Sequence, residues 1–296
     1  MVIGPLNNTF DSFLLKGSKL TKFGKNMKEV TNEMNKEINM NGKYEIVLDD
    51  EIIVKGRVLH RVRALMDVIT AKGKIVAKSG AIGGYVQSEK NLSTLGGAWV
   101  DDDAMVFDDA IVEDDALVSE HAEVYRDAKV SDEARISGFA QVHGNAVVED
   151  NASVYGYADI FHKARISGYA TVQYHATVLG EARVYGHAYI GGYSRVSCEC
   201  HIYGRAMVCG HAEVLNYARV FDDSVVCGYA RVYGGARIRT NDIVDYEYFG
   251  ICDDYPSVDD SYDNEWPVGE YTDLGYGLFE DLFEDEPEDL CSDFDW

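Results

Sequence analysis

From Thr240 to the end of the 296-residue chain there is no lysine or arginine, although that stretch holds 20 Asp and Glu. A segment of this kind has no internal counter-charge, and it supplies −20 of the formal net charge of −24. No apolar run is long enough to cross a membrane as a helix, and no segment has the form of a signal peptide. We therefore expect a cytoplasmic protein with no membrane contact. The six cysteines (Cys198, Cys200, Cys209, Cys227, Cys252 and Cys291) are few and irregularly spaced, which excludes a disulfide framework and favours reduced thiols. The run Cys198-Glu199-Cys200-His201 has the residue types of a metal site, but Cys200 and His201 point to opposite sides of a strand, so neither metal nor cofactor is expected.

Also lacking is any insertion between Ala98 and Ile238, where twenty-four consecutive hexapeptides of the form Ala-x-Val-x-x-x follow one another. The third position is Val or Ile in every unit, and the first is Ala except at Ser194, Cys200 and Ser224. A strict period of six fits neither an amphipathic helix nor a plain alternating strand. It belongs to repeat architectures that stack one short strand per unit, and a pentapeptide solenoid would need a period of five.

Two positions apart on a strand, the Ala and the Val/Ile face the same side, and the residue between them faces the other. A small and a β-branched side chain together fill a narrow interior. Two residues after the Val/Ile comes Gly, Asp or Asn in most units, among them Asp102, Asp114, Gly138, Gly168 and Asn216. These residues tolerate left-handed backbone, so a corner follows each strand. Three strands and three corners make a coil of eighteen residues. The pattern predicts an all-β, left-handed parallel β-helix of about eight coils over residues 98–239, roughly 38 Å long at the ~4.8 Å spacing of paired strands.

Residues before Ala98 carry 15 Lys/Arg against 10 Asp/Glu, and the repeat carries 12 against 21. The chain thus divides into an N-terminal segment 1–43 that is partly helical around Met27–Ile38 or disordered, a small β cap 44–97, the β-helix 98–239 and an acidic, aromatic tail 240–296. The cap is expected to cover the first coil, where an open parallel edge would invite aggregation. The succession VLHRVRAL, GAIGGYVQSEKNLS and uninterrupted hexads resembles the YdcK-like hexapeptide-repeat proteins of enterobacteria and phages, over about Tyr44–Ile238. That resemblance implies a fold shared with bacterial acyltransferases, with no established reaction to carry over.

The exact period sorts outward residues into columns eighteen apart. One reads Ile111, Lys129, Val147, Arg165, Arg183, His201, Arg219 and Arg237, a basic stripe in its later half. Like charges one coil apart repel by about 0.9 kcal/mol in water before screening, so the stripe is either a solvated face or a groove for the acidic tail or another polyanion. Other columns are aromatic or aliphatic: Asp103, His121, Phe139, Tyr157, His175, Tyr193, His211 and Tyr229 at one corner, and Trp99, Leu117 and their successors beside it. Stacked rings stabilise a solenoid by themselves. As an alternative, Trp99, Leu117, Phe139, Tyr157, Tyr193 and Tyr229 would form the contact of a homo-oligomer, expected as a parallel trimer.

Hexapeptide acyltransferases, which resemble this chain in fold, use a His as general base and coenzyme A along the rod. His121, His175 and His211 are the imidazoles available for that role. Those enzymes extrude a loop to wall the acceptor site, and no hexad here is interrupted. The tail instead mixes carboxylates with aromatics. Its end (Asp285, Glu286, Glu288, Asp289, Asp293, Phe294, Asp295, Trp296) resembles the acidic tails by which single-stranded DNA-binding proteins recruit enzymes, and acidic phage DNA mimics. The expectation is a non-enzymatic binding protein whose acidic first coils and tail engage a basic, nucleic-acid-handling partner. An acyltransferase and a structural oligomer are the alternatives. Net charge argues against direct nucleic-acid binding.

Overall fold

The computed structural model describes residues 42–239, 242–245 and 247–249; the helix expected around Met27–Ile38 and most of the acidic tail lie outside the described residues. The chain opens with a hairpin of β1 (Tyr44–Val54) and β2 (Arg57–Ala64), paired antiparallel. Its tip is Lys55-Gly56, both at positive φ (48° and 77°), as a two-residue hairpin turn with the twist of the strands requires. A short antiparallel pair follows, β3 (Val68–Ile69) and β4 (Ile75–Ala77). The fifth strand, β5 (Ile82–Val86), is the joint: it runs antiparallel to β2 on one side and parallel to Met105–Val106 on the other.

Beyond this joint the molecule is a parallel β-solenoid of about nine turns, each hexad contributing one short strand. Three ladders form its faces. Face 1 stacks nine strands from Trp99–Val100 to Ile243–Val244. Face 2 stacks Met105–Val106 through Glu247–Phe249 onto the cap sheet, and face 3 stacks eight strands from Ile111–Val112 to Arg237–Ile238. Register is eighteen throughout the hexads, as in Arg165↔Arg183 and Val172↔Ile190.

The solenoid exceeds the eight coils expected from the hexads at both ends. At the start, Tyr85 pairs with Met105 and Leu92 bridges Val112, an offset of twenty that hides this turn from an eighteen-residue search. At the end, Asp242-Ile243-Val244 keeps the register beyond the predicted end at residue 239, with Asp in the place the hexads give to Ala.

The interior is what the Ala/Val pattern requires. From Ala98 to Ile238 the inward residues form one continuous buried cluster, with Val172, Ile190 and Ile202 at zero exposure. Where Ala is replaced, the new polar atom finds a partner in its own corner. Ser194 Oγ donates to Gly191 O (2.7 Å), Ser224 Oγ to Phe221 O (2.7 Å) and Cys200 Sγ to Ser197 O (3.0 Å). Asn91, fully buried, donates to the carbonyls of Asp108 and Ala110 and accepts from Ser88 N–H, closing the turn without a hexad.

The corners carry the expected left-handed residue, but the residue types are broader than Gly, Asp and Asn. Glu120, Arg126, His162, Tyr174 and Cys198 also sit at φ between 59° and 68°. The repeated ladder of backbone hydrogen bonds imposes that conformation regardless of side chain.

Candidate functional site

The first turns are acidic by sequence, and their carboxylates are largely engaged within the chain. Arg57 Nε meets Asp108 at 2.7 Å, Arg61 Nη2 meets Asp103 at 2.7 Å, Lys55 Nζ meets Glu123 at 2.6 Å and Lys72 Nζ meets Glu133 at 2.6 Å. Asp115 accepts the N–H groups of Ala71 and Gly97, both at 2.8 Å. Lys55 also lies 3.8 Å from the centroid of the Tyr125 ring. The basic partner of these carboxylates is therefore the chain's own cap, residues 44–97. Others cap the next turn: Asp102 accepts from Glu120 N–H, Glu120 from Gly138 N–H, and Asp132 from Asp150 N–H.

Lys43 plugs the start of the rod. Its ammonium donates to Ala98 O (2.8 Å) and Gly96 O (3.2 Å), and burial lowers its pKa to about 8 despite nearby Asp115. Tyr44 beside it is buried, donating to Leu92 O at 2.7 Å.

The aromatic columns are stacked ladders. His121, Phe139, Tyr157, His175, Tyr193, His211 and Tyr229 run continuously with centroids 4.7–5.1 Å apart. Phe107, Tyr125, His143 and Phe161 form a second ladder at 4.7–5.0 Å. Two further stacks escaped the sequence reading: Tyr185–Tyr203–Phe221 (5.0 and 5.1 Å) and Tyr169–His187 (4.9 Å). Listing every corner column at a spacing of eighteen would have found both.

Of the residues expected at an oligomer contact, Phe139, Tyr157, Tyr193 and Tyr229 are exposed ring edges. Trp99 is fully buried and Leu117 half-buried against the core, contrary to their expected place on an open column. For Trp99 the reason is β5: Gly83 passes so close that a Cβ there would lie 2.6 Å from the Trp99 ring.

His121, His175 and His211 are brought together only as rungs, each with rings stacked on it rather than a carboxylate. A histidine oriented by a carboxylate occurs in the other ladder, where His143 Nε2 lies 3.0 Å from Asp159 Oδ1, a pair that column sorting did not single out. A surface depression of about 470 Å³ is lined by Tyr193, His211 and Tyr229 together with Arg195, Glu213 and Arg231. Arg231 is tied to Glu213 at 3.2 Å.

The basic stripe is the outward column of face 3, and the structure splits it. Lys129 pairs with Glu113 (2.7 Å) and Arg165 with Glu149 (2.6 Å). Arg183, Arg219 and Arg237 are exposed and make no ion pair among the described residues. Between them sits His201, in register with Arg183 and Arg219. Burial, then Arg219 and Arg183, hold its imidazole below the ordinary histidine value.

No three potential metal ligands cluster among the described residues. Burial pushes the Cys200 thiol up to about 12 and that of Cys209 to about 11, away from thiolate chemistry. The eight tail residues expected to bind a partner lie outside the described residues. No protein-family model matches the chain, and no curated protein matches its sequence.

Proposed function

We propose that this chain is a left-handed, hexapeptide-type β-helix that acts as a non-enzymatic binding rod, with its acidic C-terminal segment engaging a basic, nucleic-acid-handling protein as an inhibitor or DNA mimic. The observation that carries this reading is the distribution of charge. The carboxylates of the first turns are matched by Arg57, Arg61, Lys55 and Lys72, whereas the 20 carboxylates after Arg239 have no cation in their own segment. A segment so composed, with Phe294 and Trp296 as apolar anchors, suits a surface rich in Lys and Arg.

The test is a pull-down with the full chain against a full-length variant in which Asp285, Glu286, Glu288, Asp289, Asp293 and Asp295 become Asn or Gln. A basic nucleic-acid enzyme retained by the first and lost by the second, with salt-sensitive binding, supports the proposal. Equal retention by both removes the segment from the function.

An acyltransferase reading draws on one feature, the depression that joins His211 to Arg195 and Arg231. Calorimetric binding of coenzyme A, lost on His211→Ala, would favour it.

A further inference from the structure

We infer that the C-terminal half of face 3 is a second binding site, of opposite charge preference to the tail, that takes an extended acidic peptide segment of a partner protein along Arg183, His201, Arg219 and Arg237.

Charge along the rod is segregated. Residues 98–163 hold 4 Lys/Arg against 16 Asp/Glu, and residues 164–239 hold 8 against 5. Within the later half Arg165, Arg205 and Arg231 pair with Glu149, Asp223 and Glu213, whereas Arg183, Arg219 and Arg237 make no ion pair among the described residues. In-register neighbours on face 3 are Arg183, His201, Arg219 and Arg237, a row of like-charged or chargeable groups with no carboxylate in it. Such a row repels itself at ~4.8 Å spacing, and an anion laid over it relieves that repulsion. Arginine forks take carboxylates in pairs of hydrogen bonds, which lysines do not.

Spacing and shape favour a peptide. Arg183 and Arg237 are three turns apart, about 14 Å, and an extended chain places residues i, i+2 and i+4 on one side over about 13–14 Å. Three alternate carboxylates therefore span the row. Beside it runs the ladder Tyr185–Tyr203–Phe221, half-buried, an apolar shelf for the side chains between the carboxylates. Those rings already lie face to face at 5.0 and 5.1 Å, so the faces between them are not open for nucleobases to stack on, as single-strand platforms require.

His201 gives the site a signature. The charged groups around it are Arg183 and Arg219 in register and Glu199 on its own turn, with the Tyr185 ring edge-on at 6.3 Å. A carboxylate bound here favours the protonated imidazole, so binding takes up a proton and tightens as pH falls into the range where the imidazole titrates.

The experiment is fluorescence anisotropy at physiological salt with a labelled synthetic peptide of sequence EDLFEDEPEDLCSDFDW, the chain's own residues 280–296 used as a stand-in for a partner's acidic segment and ending in alternating carboxylates and aromatic residues. It is added to the full chain and to a chain ending at Phe249, which keeps every described strand. Binding by either form, weakened at least tenfold by Arg219→Glu with Arg237→Glu and strengthened toward pH 6 unless His201→Gln is present, is the expected result. A labelled single-stranded DNA of equal charge is the comparison. DNA binding as tight as the peptide, or peptide binding indifferent to the arginine reversals, overturns the inference, as does absence of binding in both forms. The reversals leave the C-terminal carboxylates intact, so failure here is distinct from failure of the tail's proposed role.

Discussion

Asp150 Oδ2 accepts the backbone N–H of Gly168, one turn further along the rod, at 2.9 Å. Both residues occupy the same left-handed corner, at φ 58° and 69°. Asp114, Asp132 and Asp150 form a chain of such contacts, and glycine takes over from Gly168, where a Cβ would come within 2.8 Å of Gly186 N. Carboxylates here are structural, supplying an acceptor at a corner. Asp150→Ala keeps the left-handed strain and loses the acceptor, and should cost about 1–3 kcal/mol in urea unfolding. Asp150→Gly loses the acceptor but relieves the strain, and should cost less than the alanine. The reverse order would mean that the corner is not held by this contact.

Val172 and Thr171 are adjacent and face opposite ways, the valine at zero exposure and the threonine partly open. Val172→Asp places an unpaired charge between stacked turns and should abolish cooperative folding, whereas Thr171→Asp should change stability by no more than about 1 kcal/mol. Circular dichroism melts of the two variants compare them directly.

Gly83 lies where a Cβ would meet Val100 O at 2.4 Å and the Trp99 ring at 2.6 Å. Gly83→Ala should force β5 away from the first turn, at a cost of about 1–3 kcal/mol. Trp99 then gains solvent, so its fluorescence should shift to the red. An unshifted spectrum would place the cap's close approach elsewhere.

Lys43 makes stability depend on pH. Its folded pKa of about 8 lies below the ordinary lysine value of 10.5, so the unfolded chain binds the proton more tightly. Stability should therefore rise with pH between about 8 and 10, by roughly 2–3 kcal/mol at ~1.4 kcal/mol per unit. Above that range Tyr44, whose pKa burial raises, acts in the opposite sense. Lys43→Met should remove the rise, as read from urea midpoints at successive pH values.

Much of the fold was legible because one structural rule recurs. Every inward Ala and Val/Ile obeys a period of six, so the strands, the core and the eighteen-residue register follow from residues such as Val172 and Ile190. The first turn was not legible, because the twenty-residue offset from Tyr85 to Met105 and the buried Asn91 replace a hexad with individual hydrogen bonds. Outward chemistry was read only in part. The column of Arg183, Arg219 and Arg237 was found by spacing, but which cations have partners depends on side-chain reach between columns, as Lys129 to Glu113 shows. Trp99 was misplaced for a similar reason: its column is open in the repeat but covered by β5. The acid of the first turns read as a surface for a foreign partner, and the structure gives much of it to Arg57, Arg61 and Lys72.

The most direct test of the binding-rod account is competition on the basic partner itself. A labelled DNA duplex bound to the enzyme retained in the pull-down is titrated with the full chain, and anisotropy follows its release. The account predicts stoichiometric displacement by the full chain, weakening as salt rises. It predicts none by the variant with Asp285, Glu286, Glu288, Asp289, Asp293 and Asp295 neutralised. DNA that stays bound at saturating full chain, or displacement that survives neutralisation, would contradict it.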